Sequence, residues 1–317
     1  MNQIYRPLSV FSLTALVFAT TPSFVQAQSS TPATSTTQTS SERELLEQGI
    51  DRIEQGNYQE AINIFTEVIE QHPREPAPYI NRGIAHQKLG NYEDAIEDYQ
   101  QALQYDPENG LAYLNWGIVH YEQQDYEEAA KKIDRATALL KKHLKAANIQ
   151  NDVEKINSLK SQLVEAYNNK GNIKLLQESF QEALDAYQTV LTYDEDNWRA
   201  HLNIGNTYHR MRYYEYALRK YNQVIRNNSE IIRAYDNRGR TYLALSSPEE
   251  ALQDFNKAIE LDPQNASYFY YRGIAYQELN DLEAAKEDFN KAMRLYQQNN
   301  NIEGVQKSEQ RLQKLQQ

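Results

Sequence analysis

Seven glycines set the strongest constraint on what this chain can fold into: Gly49, Gly83, Gly117, Gly171, Gly205, Gly239 and Gly273 are spaced by 34 residues, except for one interval of 54. Self-similarity at such a fixed period means one small unit used repeatedly, each copy stacking on the next because it cannot bury its own apolar face alone. An alanine follows every one of these glycines at an offset of 12: Ala61, Ala95, Ala129, Ala183, Ala217, Ala251 and Ala285. Four residues further on come Phe65, Tyr99, Ile133, Tyr187, Tyr221, Phe255 and Phe289, and Pro73, Pro107 and Pro263 close three of the units. With only 11 Gly and 9 Pro in 317 residues, the chain lacks the turn residues of a large β-rich protein, while Ala, Leu, Glu, Gln, Lys and Arg favour helix. Each unit therefore reads as two helices and a turn.

Two small residues at fixed offsets let a pair of helices cross closely, with bulk filling the flanks. The segments Tyr79-Ile80-Asn81-Arg82-Gly83-Ile84-Ala85 and Gly90-Asn91-Tyr92-Glu93-Asp94-Ala95-Ile96 resemble the tetratricopeptide repeat family, and seven such repeats run from Glu42 to about Asn299. The resemblance implies an all-α, right-handed α-solenoid of helix hairpins over 42–299, ended by a capping helix over 300–317 with Ile302, Val305, Leu312 and Leu315 on its inner side. Repeats three, four, five and seven depart from the pattern by lacking the closing proline. Ser247, Pro248 and Glu250 have the order of an N-cap, a first-turn proline and a capping-box acid for the second helix of repeat six.

The N-terminus reads as an export signal. Arg6 precedes an apolar run from Leu8 to Ala19, too short to span a bilayer, and Val25-Gln26-Ala27 supplies the small residues of a peptidase site. Residues 1–27 are thus expected to be a cleaved signal peptide, and the Ser/Thr-rich stretch 28–41 a disordered tether. The expected destination is the periplasm, with secretion or another extracytoplasmic compartment as the alternatives.

One interval carries 20 extra residues. Ile133, Ala136, Leu140 and Leu144 keep helical spacing past the normal end of repeat three, as do Val153, Ile156, Leu159, Leu163 and Tyr167 ahead of repeat four. An extended helical hairpin over about 140–163 is expected. Lys131, Lys132, Arg135, Lys141, Lys142 and Lys145 crowd one arm with Asp134 alone opposing them, so the segment 131–160 could meet an anionic membrane surface. No aromatic anchors accompany these lysines, which favours a solvated face.

Residues for catalysis are lacking. The chain has no Cys, no glycine-rich phosphate loop, no nucleophile elbow and no zinc-helix motif, and its carboxylates read as surface positions in repeat register. His86 and His120 stand one period apart and are expected to pack in the core, while His143, His201 and His209 lack clustered partners for a metal. Neither a cofactor nor a metal nor an enzymatic activity is expected. A formal charge of −11 disfavours nucleic acid as a partner.

What remains is a binding face. The family resemblance places the residue two before each repeat Gly on the concave side, and here it is Asn in five successive repeats: Asn81, Asn115, Asn169, Asn203 and Asn237. Amides offer both donor and acceptor to the backbone of an extended peptide. From Arg199 to Arg240 nine Lys and Arg face only Glu215, Glu230 and Asp236, a basic island in an acidic chain. By repeat register Arg199, Arg210, Arg233 and Arg240 share the concave side with Asn172, Asn203, Asn206 and Asn237, whereas Arg219 and Lys220 belong to a second helix. This set is similar to the clamp by which some members of the family hold a terminal carboxylate, although Asn168 and Asn237 stand where that clamp is basic. The alternative for the island is internal neutralisation by neighbouring acids. The expected function is a protein-interaction scaffold or assembly factor of the cell envelope that binds extended, acidic segments. A membrane-surface adaptor acting through 131–160 and an accessory regulatory subunit of an enzyme are the other readings. Processing gives the first test: the mature protein should begin at Gln28 and fractionate as soluble, and intact mass spectrometry of the exported chain would expose a retained Met1.

Overall fold

The computed structural model describes residues 40–315, so the expected signal peptide over 1–27 and the expected tether up to residue 39 lie outside the described residues. Fifteen α-helices and no strand make up the described chain. The helix expected to follow the tether already includes its last two positions, since α1 covers Ser40–Glu54.

Two compact units divide within the seventh helix, between Ala166 and Tyr167. In the first unit, α1 pairs with α2 (Tyr58–Gln71), α3 (Pro76–Leu89) with α4 (Tyr92–Tyr105), and α5 (Gly110–Glu122) with α6 (Tyr126–Gln150). Helix α7 (Val153–Leu176) leads into the second unit, which continues through α8 (Phe180–Tyr193), α9 (Trp198–Arg210), α10 (Tyr214–Asn227), α11 (Ile232–Ala244), α12 (Pro248–Leu261), α13 (Ala266–Glu278), α14 (Leu282–Gln298) and α15 (Ile302–Lys314). Within each unit second helices pack on their own first helix and on the first helix of the next repeat, as α2 does on α1 and α3, α4 on α3 and α5, α10 on α9 and α11, and α12 on α11 and α13. This is the all-α solenoid arrangement of stacked hairpins.

Close approach of the paired helices explains the period. A Cβ on Gly205 would lie 2.6 Å from the Tyr221 ring, and one on Gly171 only 2.4 Å from the Tyr187 ring. Phe65, Tyr99, Ile133, Tyr187, Tyr221, Phe255 and Phe289 are all fully buried against their glycines, with Ala61, Ala95, Ala129, Ala183, Ala217, Ala251 and Ala285 equally enclosed. Apolar burial of this kind is the main driving force of the stack.

The turn inside each hairpin has a second periodic feature. Gly56, Gly90, Gln124, Glu178, Arg212, Ser246 and Asn280 all take positive φ, between 56° and 80°. Only the first two are glycine, so the later turns hold side chains in a left-handed conformation that disfavours them. Starts of helices are firmer. Asn109, Asp125, Asp152, Asn197, Asn265, Asp281 and Asn301 each accept a first-turn backbone N–H. Helix α12 starts at Pro248 as expected, yet the Ser247 side chain makes no capping bond, so the capping box is not formed there.

Helices α6 and α7 have 25 and 24 residues against 14 in α4 and α8, a difference worth about 15 Å of length. The terminal helix α15 packs on α14 with Val305, Leu312 and Leu315 half-buried on the expected side, but without Ile302. Ile302 is 73% exposed, whereas Gly304 and Ser308 are buried, because Gly304 seats directly on the Tyr296 ring.

Opposite substitutions test these two backbone constraints. Gly205→Ala should destabilise the chain by about 1–3 kcal/mol through overpacking against Tyr221. Gln124→Gly should stabilise it by about 0.5–1 kcal/mol by relieving the left-handed turn. Urea titrations of the purified variants read both signs.

Candidate functional site

The amides of the second unit are placed by helix register and then fixed by hydrogen bonds. Asn172 Oδ1 accepts from the Tyr187 hydroxyl at 2.7 Å and from Asn203 Nδ2 of the next repeat at 3.2 Å. One period later Asn206 Oδ1 accepts from the Tyr221 hydroxyl at 2.9 Å and from Asn237 Nδ2 at 2.7 Å. Each relay ties the core tyrosine of one hairpin to the first helix of the following one. Asn203 is only 4% exposed, and Asn81, Asn115 and Asn169 are buried too. The open ladder expected from the sequence is therefore mostly enclosed, with Asn203 and Asn237 turned toward the preceding repeat onto Asn172 and Asn206. Asn115, 1% exposed, leaves its Nδ2 without a partner. Asn172, Asn206 and Asn237 are half-buried.

A sequence signal for the relays exists and was missed. Asn follows the repeat Gly only in repeats four and five, where the ring sixteen residues after that Gly is a tyrosine with a hydroxyl to satisfy. Where that ring is Phe, in repeats one, six and seven, the equivalent position holds Ile50, Arg240 or Ile274. Tyr99 is the exception, and its hydroxyl donates to Gln87 Oε1 instead, at 3.1 Å.

The arginines of the basic island separate by their partners. Arg240 binds the Asp236 carboxylate through Nε and Nη2 at 2.8 Å each, lies 4.0 Å from the centre of the Tyr271 ring, and keeps only 18% of its side chain exposed. Burial pushes the Asp236 carboxyl above its usual range while Arg240 pulls it back. Arg210 reaches back to the Leu175 carbonyl at the end of α7, at 2.7 Å, and to Glu178 at 3.2 Å. Arg199 and Arg233 are half-buried at the start of α9 and α11, one period apart, with Arg199 beside the Trp198 ring. His209, with Nδ1 2.8 Å from Thr241 Oγ1, is pushed down to about 4 by burial and by Arg240, so it is neutral at ordinary pH.

Several carboxylates read as surface groups are in fact buried. Asp98, Asp254 and Asp288 each take a two-pronged bond from Arg82, Arg238 or Arg272 sixteen residues earlier, at 2.6–3.0 Å for the best-placed atoms. The remaining guanidinium nitrogen reaches Thr66, Asn222 or Asn256 of the previous repeat. Bidentate geometry of this kind fixes orientation as well as charge. Repeat three has no such pair; Trp116 and Lys132 occupy the two positions, with the ammonium 3.7 Å from the indole centre.

The cationic arm is largely occupied. Lys131 pairs with Glu127 and Glu128, Lys142 with Glu108 at 2.6 Å, and Arg135 lies beside the Tyr113 ring. At its tip only Ile149 and Val153 are exposed large apolar residues. No described helix is long and apolar enough to cross a membrane, and no three His, Asp or Glu among the described residues gather as metal ligands.

Removing Arg240 exposes the cost of these arrangements. Arg240→Ala leaves Asp236 buried and unpaired, so stability should fall by about 3–5 kcal/mol at neutral pH. With its opposing charge gone, the folded-state pKa of Asp236 rises further above the unfolded value. The native state then binds the extra proton, and part of the loss should be recovered as pH falls into the window between the two values. Denaturation midpoints of variant and wild type across acid pH measure that convergence.

Among known proteins, Tetratricopeptide repeat models match residues 44–108, 80–142 and 266–299, and a TPR repeat model matches 171–211 and 239–280. A comparison with curated protein sequences gives no match. A tetratricopeptide repeat protein from Parabacteroides merdae ATCC 43184 superposes with a TM-score of 0.61 at 19% identity, over 84% of this chain and 98% of that one. Cut9–Hcn1 of the APC/C gives 0.62 at 13%, over 86% and 48%, and PilF of Pseudomonas aeruginosa gives 0.57 at 18%, over 76% and 96%. At these identities the structures speak to the fold alone. Matched repeats over both units, with the stacked hairpins that they predict, make this chain a member of the tetratricopeptide repeat family.

Proposed function

We propose that this protein is an exported, non-catalytic scaffold or assembly factor of the cell envelope, which holds extended, acidic segments of partner proteins along the first helices of repeats four to six. A fold of this family supports protein–protein contact as its working mode. The envelope location rests on the leader-like sequence from Arg6 to Ala27.

One observation carries the choice of face. Both relays use the carbonyl oxygen of their central amide, so Asn172 and Asn206 keep their half-buried Nδ2 groups as donors, one period apart. Amide donors whose orientation is already fixed lose little entropy on pairing with a peptide carbonyl. Arg199 and Arg233 stand at the same repeat spacing, on α9 beside Asn206 and on α11, and supply attraction for carboxylates.

Asn206→Asp separates this role from stability. The carboxylate still accepts from Tyr221 and Asn237 but donates nothing, so the relay is kept, one hydrogen bond to the peptide is lost, and the added charge opposes an acidic segment. Titration of a labelled acidic peptide at two ionic strengths should show Asn206→Asp weaker by about 3- to 10-fold, with the share due to the lost donor persisting in salt and the share due to the added charge screened. Arg233→Ala should show a deficit that shrinks in salt. Equal affinity of both variants and wild type would remove the first-helix face as the site.

A further inference from the structure

The basic island does not present its free charge where the repeat pattern put it. On the first helices Arg210 and Arg240 are taken up by Glu178 and Asp236, and Arg238 is held by Asp254. Arg212, Arg219 and Arg226 are exposed and have no carboxylate partner among the described residues. All three belong to the turn before α10 or to α10 itself, the second helix of repeat five. Tyr216, Arg219, Gln223 and Arg226 follow one another at helical spacing, so they form a single stripe along that helix.

Aromatic surface adjoins the charge. Tyr213 and Tyr216 are 53% and 54% exposed, among the most exposed large apolar-bodied side chains described. Their rings lie 6.3 Å apart, Tyr208 backs Tyr216 at 5.4 Å, and the Arg219 guanidinium stands 5.5 Å from the Tyr216 ring. Rings held by ring neighbours and capped by an arginine form a pre-ordered platform, which costs less entropy on binding than loose side chains would. Glu215 stands at the start of the helix, and Asp196 meets Asn227 at its far end.

We propose that this outer face of α10 is a second docking surface, for an acidic protein segment that sets an aromatic or proline side chain on Tyr213 and Tyr216 and carboxylates on Arg219 and Arg226. Charge complementarity selects the partner: three unpaired arginines stand out on a chain of net charge −11. The stripe from Tyr216 to Arg226 is about 15 Å long, the reach of four or five extended residues. That length suits a short peptide better than duplex nucleic acid, whose long polyanion would run on over the acidic remainder of the chain. The surface rests on the reading of the protein as an interaction scaffold, but not on the first-helix face.

The test uses a fluorescein-labelled Trp-Gly-Glu-Glu-Glu-Glu peptide on the mature chain carrying Asn206→Asp and Arg233→Ala, so that the first-helix face is silenced. Adding Arg219→Glu with Arg226→Glu, or Tyr216→Ala, should weaken binding by about tenfold or more while the circular dichroism melting curve stays in place, since these side chains are exposed. Unchanged affinity in both additions would overturn the outer face. So would tighter, variant-sensitive binding of duplex DNA or of phosphatidylglycerol vesicles, which would assign the stripe to nucleic acid or to a membrane. If the first-helix variants alone abolish binding in the otherwise wild-type chain, the outer face fails and the scaffold reading stands; absence of peptide binding to every form of the chain would sink both.

Discussion

Everything else in the structure depends on how closely the two helices of a hairpin approach at the repeat glycine. A Cβ there would come within 2.4–2.9 Å of the side chain sixteen residues later in every one of the seven repeats. Contacts that close lie inside van der Waals range, so no larger residue fits without moving the second helix. Because the ring or branched side chain at that crossing is fully buried, it also sets what its neighbours must be. A tyrosine there needs an acceptor, which Asn172, Asn206 or Gln87 supplies. A phenylalanine makes no such demand.

Polar groups then determine how one hairpin sits on the next. The bonds of Arg82, Arg238 and Arg272 to buried aspartates, and their third contact to the preceding repeat, make a directional link across an otherwise oily interface. Buried ion pairs add little net stability once desolvation is counted, yet breaking one is costly. Their effect is thus to hold the stack in a single register, while apolar burial supplies the drive to stack. The pairing of Lys132 with Trp116 shows that repeat three meets the same geometric need with other chemistry.

The same electrostatics shapes the two proposed binding surfaces. An arginine facing a carboxylate inside the stack is structural, and one left in water can recruit a partner. Of the basic island, Arg238 and Arg240 fall on the structural side and Arg210 pairs with Glu178 at the surface, while Arg212, Arg219 and Arg226 remain in solvent. Half-buried donors at Asn172 and Asn206 give the first helices a different offer, directional and uncharged.

The spacing of Gly, Ala and aromatic residues determined the family, the hairpin unit and the place of every repeat, since helix crossing depends on residue size at fixed offsets and size is written in the sequence, while apolar periodicity from Ile133 to Tyr167 gave the long α6 and α7. The relays were legible too, as the joint occurrence of Tyr187 with Asn172 and Tyr221 with Asn206. Tertiary structure alone decided which polar groups point inward. Asn203 and Asn206 lie on one helix three residues apart, yet the first is enclosed by the neighbouring repeat and the second stays half open. Arg238 and Arg240 are nearly adjacent and take different aspartates, one sixteen residues ahead and one four behind. Ile302 looked like core and faces water, because Gly304 on Tyr296 sets the rotation of α15. Helical periodicity gives a side chain its angle around the axis, but burial and pairing depend on the neighbour across the interface, and that neighbour is fixed only when the repeats are stacked.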